Sequence, residues 1–154
     1  MQYWLFKSEP DAFSIDDLAA ATGKTSCWDG VRNYQVRNYM RDQMQVGDQA
    51  FFYHSSCAIP GIVGTMTITK TGYTDHTQFD AKHHHYDPDS KRDAPRWLMV
   101  DVKLQRKFKR IITLDELRQH AGKQLSELLI LKRGNRLSVT PVTKQEWQYI
   151  VGLE

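Results

Sequence analysis

Cysteine is scarce in this sequence, and long apolar runs are absent. Cys27 and Cys57 are the two cysteines among 154 residues, too few to indicate a disulfide framework. The N-terminal stretch YWLFK lacks the basic segment and long apolar stretch of a signal peptide. No run of about eighteen apolar residues occurs, as a membrane-spanning helix would need. These absences predict a reduced, cytoplasmic protein with no membrane partner.

The sequence also lacks the common motifs of nucleotide binding and nucleophilic catalysis. Neither G-x-x-x-x-G-K-[ST] nor G-x-G-x-x-G is present. His54 precedes Cys57 by three residues, a spacing that places the two side chains on opposite sides of a strand. Each cysteine is therefore interpreted as a small buried residue. Gly61 follows a proline and enters a strand, which favours a close backbone approach. We predict no catalytic residues and no cofactor.

A histidine triplet, residues 83–85, lies in a long polar stretch but lacks the spacing of a metal site. No H-x-x-x-H or C-x-x-C pattern accompanies it. Consecutive residues of an extended chain point to alternate sides, so at most His83 and His85 would act together. The triplet is therefore interpreted as part of a solvated loop, and no metal site is predicted.

The charge is unevenly distributed along the chain. The net charge is +3, yet residues 103–136 hold ten Lys and Arg against three Asp and Glu. A basic segment of this kind is typical of a phosphate-binding surface, although lysine and arginine also keep an exposed edge strand soluble. Charge alone leaves both interpretations open. The predicted phosphate ligands are Lys103, Arg106, Lys107, Lys109, Arg110, Lys132, Arg133 and Arg136.

Alternating strand and helix signals predict an α+β fold. Ser14, Thr113 and Thr143 each precede an acidic residue by three positions, as in the capping box that begins a helix. A fourth helix is predicted in RNYQVRNYMRDQM, where apolar residues recur at helical steps. The predicted strands are YWLFK, QAFFYHS, GIVGTMTITKTGY, RWLMVDVKLQRKF and RLSVTPV. We predict one domain over residues 1–154, monomeric, with a small mixed sheet of at least five strands, bent or closed into a barrel, and three to four peripheral helices.

Aromatic and polar residues gather where the predicted strands end and helices begin. Trp28 and Asn33 flank the start of the fourth helix, with Gly30 between them to allow close backbone approach. Aromatic faces stack on nucleobases, and hydroxyl or amide groups recognise their edges. We predict a base pocket, with the three aromatic rings of the set lining one cavity and Trp28 a wall whose loss leaves the fold intact. Its predicted residues are Trp28, Asn33, Tyr53, Trp97, Ser8, His54, Ser55 and Ser138. Trp147, on the last helix, is predicted to be a core residue instead.

These segments together resemble the EVE domain family. The matching stretches follow the order of the family and cover nearly the whole chain: YWLFKSEPDAFSIDDL, WDGVRNYQVRNYM, VGDQAFFYHSS, GIVGTMTI, YDPDS, PRWLMVDVKL and RLSVTPVTKQEW. The resemblance implies a PUA-like fold, a small closed β-barrel decorated by helices and related to the YTH domain. It also implies that Trp28, Asn33, Tyr53, Ser55, Trp97 and the RLSV stretch lie near a common pocket. The histidine triplet and RKFKR, residues 106–110, are outside the pattern.

The resemblance and the residues together predict a non-catalytic module that reads a modified base in DNA or RNA. An apolar slot rewards one added methyl group by about 1–3 kcal/mol. The expected partner is a single strand, or a duplex from which the base is flipped out. Two alternatives stay open. One is an enzyme acting on nucleic acid or nucleotides through His54 and the histidine triplet, and the other is a protein-interaction module with a basic face.

Overall fold

The structure, a computed structural model, describes all 154 residues as four α-helices and one six-stranded mixed sheet. The strands are β1 (Tyr3–Ser8), β2 (Thr25–Trp28), β3 (Gln49–His54), β4 (Gly61–Thr74), β5 (Leu98–Thr113) and β6 (Val139–Val142). The helices are α1 (Ile15–Ala20), α2 (Tyr34–Asp42), α3 (Leu114–Gln119) and α4 (Lys144–Val151). None of these helices has the length and apolar character to cross a membrane. The predicted α+β class is confirmed.

The sheet runs in the order β2-β5-β4-β3-β1-β6. Strand β1 is parallel to β3, and every other neighbouring pair is antiparallel. The outer strands β2 and β6 do not pair with each other, so the sheet is not closed into the barrel that the family resemblance implies. The pairing of β4 with β5 shifts register four times, and such irregularities bend long strands.

Local capping sets where the helices begin. The Ser14 hydroxyl accepts from the amide of Asp17 (3.1 Å), and the Asp17 carboxylate accepts from the amide of Ser14 (2.8 Å). Thr143 begins α4 with the same reciprocal pair. Thr113 caps α3 through its hydroxyl, but the Glu116 carboxylate pairs with Arg110 instead of closing the box. Two of the three predicted boxes are therefore complete, and the third is half formed.

The short strand β2 is absent from the predicted strands. Its four residues pair antiparallel with β5, with Trp28 opposite Val100. Four residues are too few for alternation to be recognised in a sequence. The pairing draws Trp28 into the sheet instead of leaving it in the turn before α2.

The core lies on both faces of the sheet. Successive residues of a strand point to opposite faces, and Trp4 and Phe52 accordingly belong to one buried cluster while Leu5 and Phe51 belong to the other. Trp147 belongs to the second cluster and stacks on Phe51 with ring centroids 4.0 Å apart. The prediction that Trp147 is a core residue is confirmed.

Candidate functional site

Residues 75–97, which connect β4 to β5, form a loop that we call the histidine loop. Asp75 anchors it to the turn between β2 and α2. The Asp75 carboxylate, fully buried, accepts from the amide of Gly30 (2.8 Å) and from the guanidinium of Arg32 (3.1 Å). Burial alone would raise the pKa of Asp75, but hydrogen bonds from Thr77, Gly30 and Arg32 outweigh it and lower that pKa. The ionised carboxylate therefore holds the loop against the domain.

A cavity of about 360 Å³ opens between the histidine loop, β2 and the segment after β1. We call it the histidine cavity. Its lining residues are Ser8, Ala12, Phe13, Ser26, Cys27, Asp29, His83, His84 and His85. Burial, followed by the charge of Asp29, raises the pKa of the Cys27 thiol, so this cysteine does not have the lowered pKa of a nucleophile. The cavity combines apolar walls with hydroxyl, carboxylate and imidazole groups.

The three predicted pocket aromatics do not line one cavity. Trp28 is 8% exposed and packs edge-on against Phe6 (5.2 Å between ring centroids) and Phe52 (5.4 Å). Tyr53 lies in the cluster on the opposite face, because it is adjacent to Phe52 in β3. Neither ring, nor that of Trp97, lines any of the three cavities. The expectation of a shared aromatic cavity is wrong for this physical reason.

Trp97 instead forms a platform with Tyr34. The two rings stack with centroids 4.8 Å apart, and Tyr34 is half exposed. The Trp97 indole donates to the Asp87 carboxylate (2.7 Å), which lowers the pKa of Asp87. The guanidinium of Arg37 lies over the other ring of the pair, 4.7 Å from the centroid of Tyr34. The stacked rings and the guanidinium over Tyr34 thus form one aromatic and cationic group at the start of α2.

Asn33 is the capping residue of α2. Its side-chain oxygen accepts from the amide of Val36 (3.1 Å), while the residue itself is exposed. The cap commits the oxygen to the helix and leaves the amide nitrogen facing solvent. The sequence places Asn33 correctly at a helix start, and its predicted part in recognising a base stays a prediction.

The four remaining predicted pocket residues gather at the ends of β1 and β3. Ser8 pairs with His54 across the two strands, and the amide of Ser55 donates to the carbonyl of Ser8 (3.0 Å). Ser138 joins them through its carbonyl, which accepts from the amide of Lys7 (2.8 Å). Ser8 opens to the histidine cavity, whereas His54 opens to a different one. The set is therefore brought together in the sheet, but Ser8 and His54 line different cavities, and Ser55 and Ser138 line none of the three.

The cavity at His54, of about 240 Å³, has basic walls, and we call it the basic cavity. Lys107, Lys109 and Arg110 of the predicted phosphate ligands line it, together with Asp16. Lys107 pairs with Asp16 (2.6 Å), and Arg110 pairs with Glu116 outside the cavity wall (2.7 Å). The Lys107–Asp16 pair is exposed, so it competes weakly with an incoming phosphate, whereas both carboxylate oxygens of Glu116 accept from Arg110.

The other predicted phosphate ligands do not form one continuous strip with these. Arg106 pairs with Glu154 and Lys132 pairs with Glu127. Lys103, Lys109, Arg133 and Arg136 are exposed and form no ion pair. The group at residues 132–136 leads into β6, and β4, β3 and β1 lie between β6 and the group on β5.

The two glycines predicted to allow close approach do so, but their neighbours are parts of this chain. Gly30 has φ of +81° and faces the His85 ring, so any side chain there would collide with it. Gly61 meets the backbone of Ile112 and Thr113 on β5. The histidine loop thus occupies the space above Gly30 where a ligand was expected.

Sequence reasoning missed several residues that build this site. Asp75, Arg32 and Asp29 were not singled out, nor were Phe13 and Ser26, which line the histidine cavity. Asp75 precedes Thr77 by two residues, a local signal of a side chain that caps a turn, and its carboxylate accepts from the Thr77 amide (2.7 Å). No comparable signal marks the others, because their contacts join distant parts of the chain.

Comparisons with known proteins agree with this architecture. The family model described as EVE domain matches residues 2–153. Thymocyte nuclear protein 1 of Danio rerio is 50% identical over 166 residues, which cover 98% of this chain and 71% of that protein. The Homo sapiens protein of the same name is 47% identical over 167 residues, which cover 99% and 73%. The predicted cytoplasmic location is wrong by this comparison, because these relatives carry the name of a nuclear protein.

Two solved structures are similar over nearly their full length. The crystal structure of human THYN1 protein in complex with 5-methylcytosine containing DNA has a TM-score of 0.95 at 46% identity, covering 99% of this chain and 97% of that one. A crystal structure of a protein from Pseudomonas putida has a TM-score of 0.92 at 48% identity, covering 98% of each chain.

Proposed function

The chain belongs to the EVE domain family, and from this premise we propose that it is a non-catalytic module that binds DNA and reads a modified base. The observation that carries the proposal is the likeness to human THYN1 protein solved with 5-methylcytosine containing DNA. The proposed modified base is 5-methylcytosine. The target is a single strand, or a duplex from which the base is flipped at a cost of a few kcal/mol.

The histidine cavity is the proposed base pocket. Its volume of about 360 Å³ lies within the range of roughly 300–1,000 Å³ that is typical of small-ligand sites. Asp29 offers a carboxylate, the group that accepts hydrogen bonds from the exocyclic amine of cytosine. Ala12 and Phe13 offer apolar surface for the methyl group on the neighbouring ring carbon. This arrangement accounts for both parts of the recognition, the cytosine edge and its methyl substituent.

In this proposal, Trp28 packs behind the wall of the pocket. Its ring meets the ring of Phe13 edge-on, with centroids 6.1 Å apart, and its chain neighbours Cys27 and Asp29 line the cavity. Trp28 therefore fixes the position of the wall and does not itself stack on the base. Tyr53 is a core residue on the opposite face of the sheet, where burial raises its pKa to about 12.

The other predicted residues serve the strand around the base. Tyr34, backed by Trp97, and the Arg37 guanidinium over its ring offer a planar surface for a flanking nucleotide, and the amide nitrogen of Asn33 lies one residue away. His54 lines the basic cavity, and Ser55 and Ser138 bond to the neighbouring end of β1, where polar groups suit the sugar-phosphate backbone. The phosphates themselves are bound by the basic residues of β5 and of the segment before β6.

The test is a binding panel at one fixed salt concentration. Short oligonucleotides carry 5-methylcytosine, cytosine, thymine or N6-methyladenine at one position, and fluorescence anisotropy reports affinity. We expect 5-methylcytosine to bind about 10- to 200-fold more tightly than cytosine, the range for one methyl group in an apolar slot. Thymine keeps the methyl group but replaces the amine by a carbonyl, so Asp29 should reject it.

Asp29→Asn is the decisive variant, because an amide can donate to the carbonyl of thymine. It should reduce the preference for 5-methylcytosine over thymine, while Ser126→Ala, an exposed change outside the cavity, should preserve it. Equal affinity for all four strands with a steep salt dependence would contradict the proposal and favour a non-specific basic module. Turnover of an oligonucleotide or nucleotide would favour the enzyme alternative.

A further inference from the structure

The histidine triplet is a compact cluster of imidazoles. One ring nitrogen from each of His83, His84 and His85 lies within 4.8 Å of the others. The ring centroids of His84 and His85 are 3.8 Å apart, and His83 lies 4.7 Å from the first and 4.8 Å from the second. Three neutral imidazoles at one point form a donor set suited to zinc, copper or nickel.

The cluster forms because the chain here is turned, not extended. The amide of His83 donates to the carbonyl of Asp80 (2.9 Å), and the amide of Tyr86 donates to the carbonyl of His83 (3.0 Å). Two successive turns therefore replace the alternation that an extended chain would impose. The spacing argument against a metal site, which assumes an extended chain, does not apply to this conformation.

The backbone of the cluster is held in place. The guanidinium of Arg32 donates twice to the carbonyl of His85, at 3.1 Å and 2.7 Å. The His85 ring rests on Gly30, and its Nδ1 is buried without a hydrogen-bond partner. A buried ring nitrogen without a hydrogen-bond partner is unfavourable unless a ligand or water meets it. The unpartnered nitrogen is therefore a second observation, independent of the ring spacing, that points to a ligand at the cluster.

We propose that His83, His84 and His85 bind one divalent transition-metal ion of the Zn²⁺ class at the wall of the histidine cavity. The charge around the cluster permits a cation. Asp29 lines the same cavity and supplies a negative charge. Arg32, which contacts the His85 carbonyl, is already neutralised by its ion pair with the buried Asp75.

Coordination requires small movements of the rings. Zinc–nitrogen bonds of about 2.0–2.1 Å in a tetrahedral site place ligand nitrogens roughly 3.3 Å apart. The present spread of up to 4.8 Å must therefore contract. The Nδ1 atom of His83 now accepts from the amide of His85 (3.0 Å), so binding through that nitrogen displaces the amide. The fourth position on the ion faces the cavity and takes water or a cavity ligand.

The site is tested on the whole chain without nucleic acid, so the result is independent of the base-reading proposal. Titration with ZnCl₂ in a non-chelating buffer, followed by calorimetry, should give one ion per chain. Two-bond ¹H–¹⁵N spectra of the imidazoles should show shifts in His83, His84 and His85, while the remaining three histidines stay unchanged. The spectra identify the ligands without any substitution, so a variant that misfolds does not prevent the test.

The test variant is His84→Asn, which replaces an exposed ring of the cluster. The control is His120→Asn, which replaces a ring that is hydrogen-bonded to Tyr149 on α4. We expect His84→Asn to weaken zinc binding at least tenfold and His120→Asn to leave it unchanged. Binding that persists in a triple His→Asn variant of residues 83–85, or zinc-induced shifts confined to other histidines, would overturn the proposal. So would the absence of saturable binding.

Discussion

The backbone amide of Ile15, the first residue of α1, donates a hydrogen bond to Nε2 of His54 at the end of β3 (3.1 Å). A ring nitrogen that accepts a hydrogen bond carries no proton, so His54 is neutral in the folded protein with its proton on Nδ1. Burial lowers the pKa of His54 below its ordinary value. The start of α1 and the end of β3 are therefore joined through a hydrogen bond that protonation of His54 would break.

The first prediction is a loss of stability at mildly acidic pH. In the unfolded chain His54 titrates at about 6.5, whereas its folded pKa is lower. Its contribution is therefore fully present above about pH 6.5 and is lost as the pH falls through the folded pKa. Urea unfolding between pH 7.5 and pH 5 should show the decline. His54→Gln should flatten part of it, and His76→Gln, on an exposed residue, should not. An unchanged slope in His54→Gln would contradict the assignment.

The second prediction concerns the two buried tryptophans. Trp28→Ala and Trp147→Ala should each lower the free energy of unfolding by about 3–5 kcal/mol, because both rings fill the core. This reverses the sequence-based expectation that Trp28 is dispensable for folding. Denaturant titrations followed by circular dichroism measure both losses. A loss below about 1 kcal/mol for Trp28→Ala would show that its contacts in the core contribute little.

The third prediction concerns the anchor of the histidine loop. Asp75→Asn removes a buried carboxylate and leaves the Arg32 guanidinium without its ion partner, which should cost about 3–5 kcal/mol of unfolding free energy. Limited proteolysis should then cleave within residues 76–96 first. Asp42→Asn is the control, because its pair with Arg41 is exposed and should contribute far less to stability. Equal losses in the two variants would contradict the anchoring role.

The fourth prediction concerns the unpaired basic residues. Lys103→Gln, Lys109→Gln and Arg136→Gln should each weaken binding to modified and unmodified strands alike, because phosphate contacts carry no base information. Each should also reduce the slope of log affinity against log salt by about 0.7–0.9. Lys144→Gln, at the start of α4, serves as the control. Unchanged affinity in a variant that combines the three substitutions would exclude these residues as phosphate ligands.

The helices were predictable because their signals are local. Ser14 and Thr143 lie three residues from the carboxylates that complete their caps, so a short window of sequence contains the whole interaction. The long strands were predictable for the same reason, since alternation is read along one segment. The pairing of β2 with β5 was not, because it joins Trp28 to Val100, which lie far apart in the chain.

The candidate site was less predictable than the fold. Their places at strand ends and helix starts suggested that Tyr53 and Trp28 share a pocket, but strand alternation sends Tyr53 to the face opposite its neighbour Phe52, which packs on Trp28. The phosphate ligands were chosen by charge, yet the pair of Lys107 with Asp16 spans 91 positions and is invisible in either local segment. Both failures concern which distant side chains meet, which depends on register and topology.

The two ends of the histidine loop lie side by side, so the loop can be replaced by another without moving the strands that flank it. Thr74 pairs with Leu98, and the amide of Asp75 donates to the carbonyl of Trp97 (3.1 Å). A segment that leaves and re-enters the sheet at one pair of facing residues can change in length or composition without altering strand register. The entropic cost of loop closure rises only slowly as a loop grows. Evolution can therefore alter one wall of the histidine cavity while the sheet stays constant. A loop from a relative, grafted between residues 75 and 97, should carry its own ligand preference into this domain.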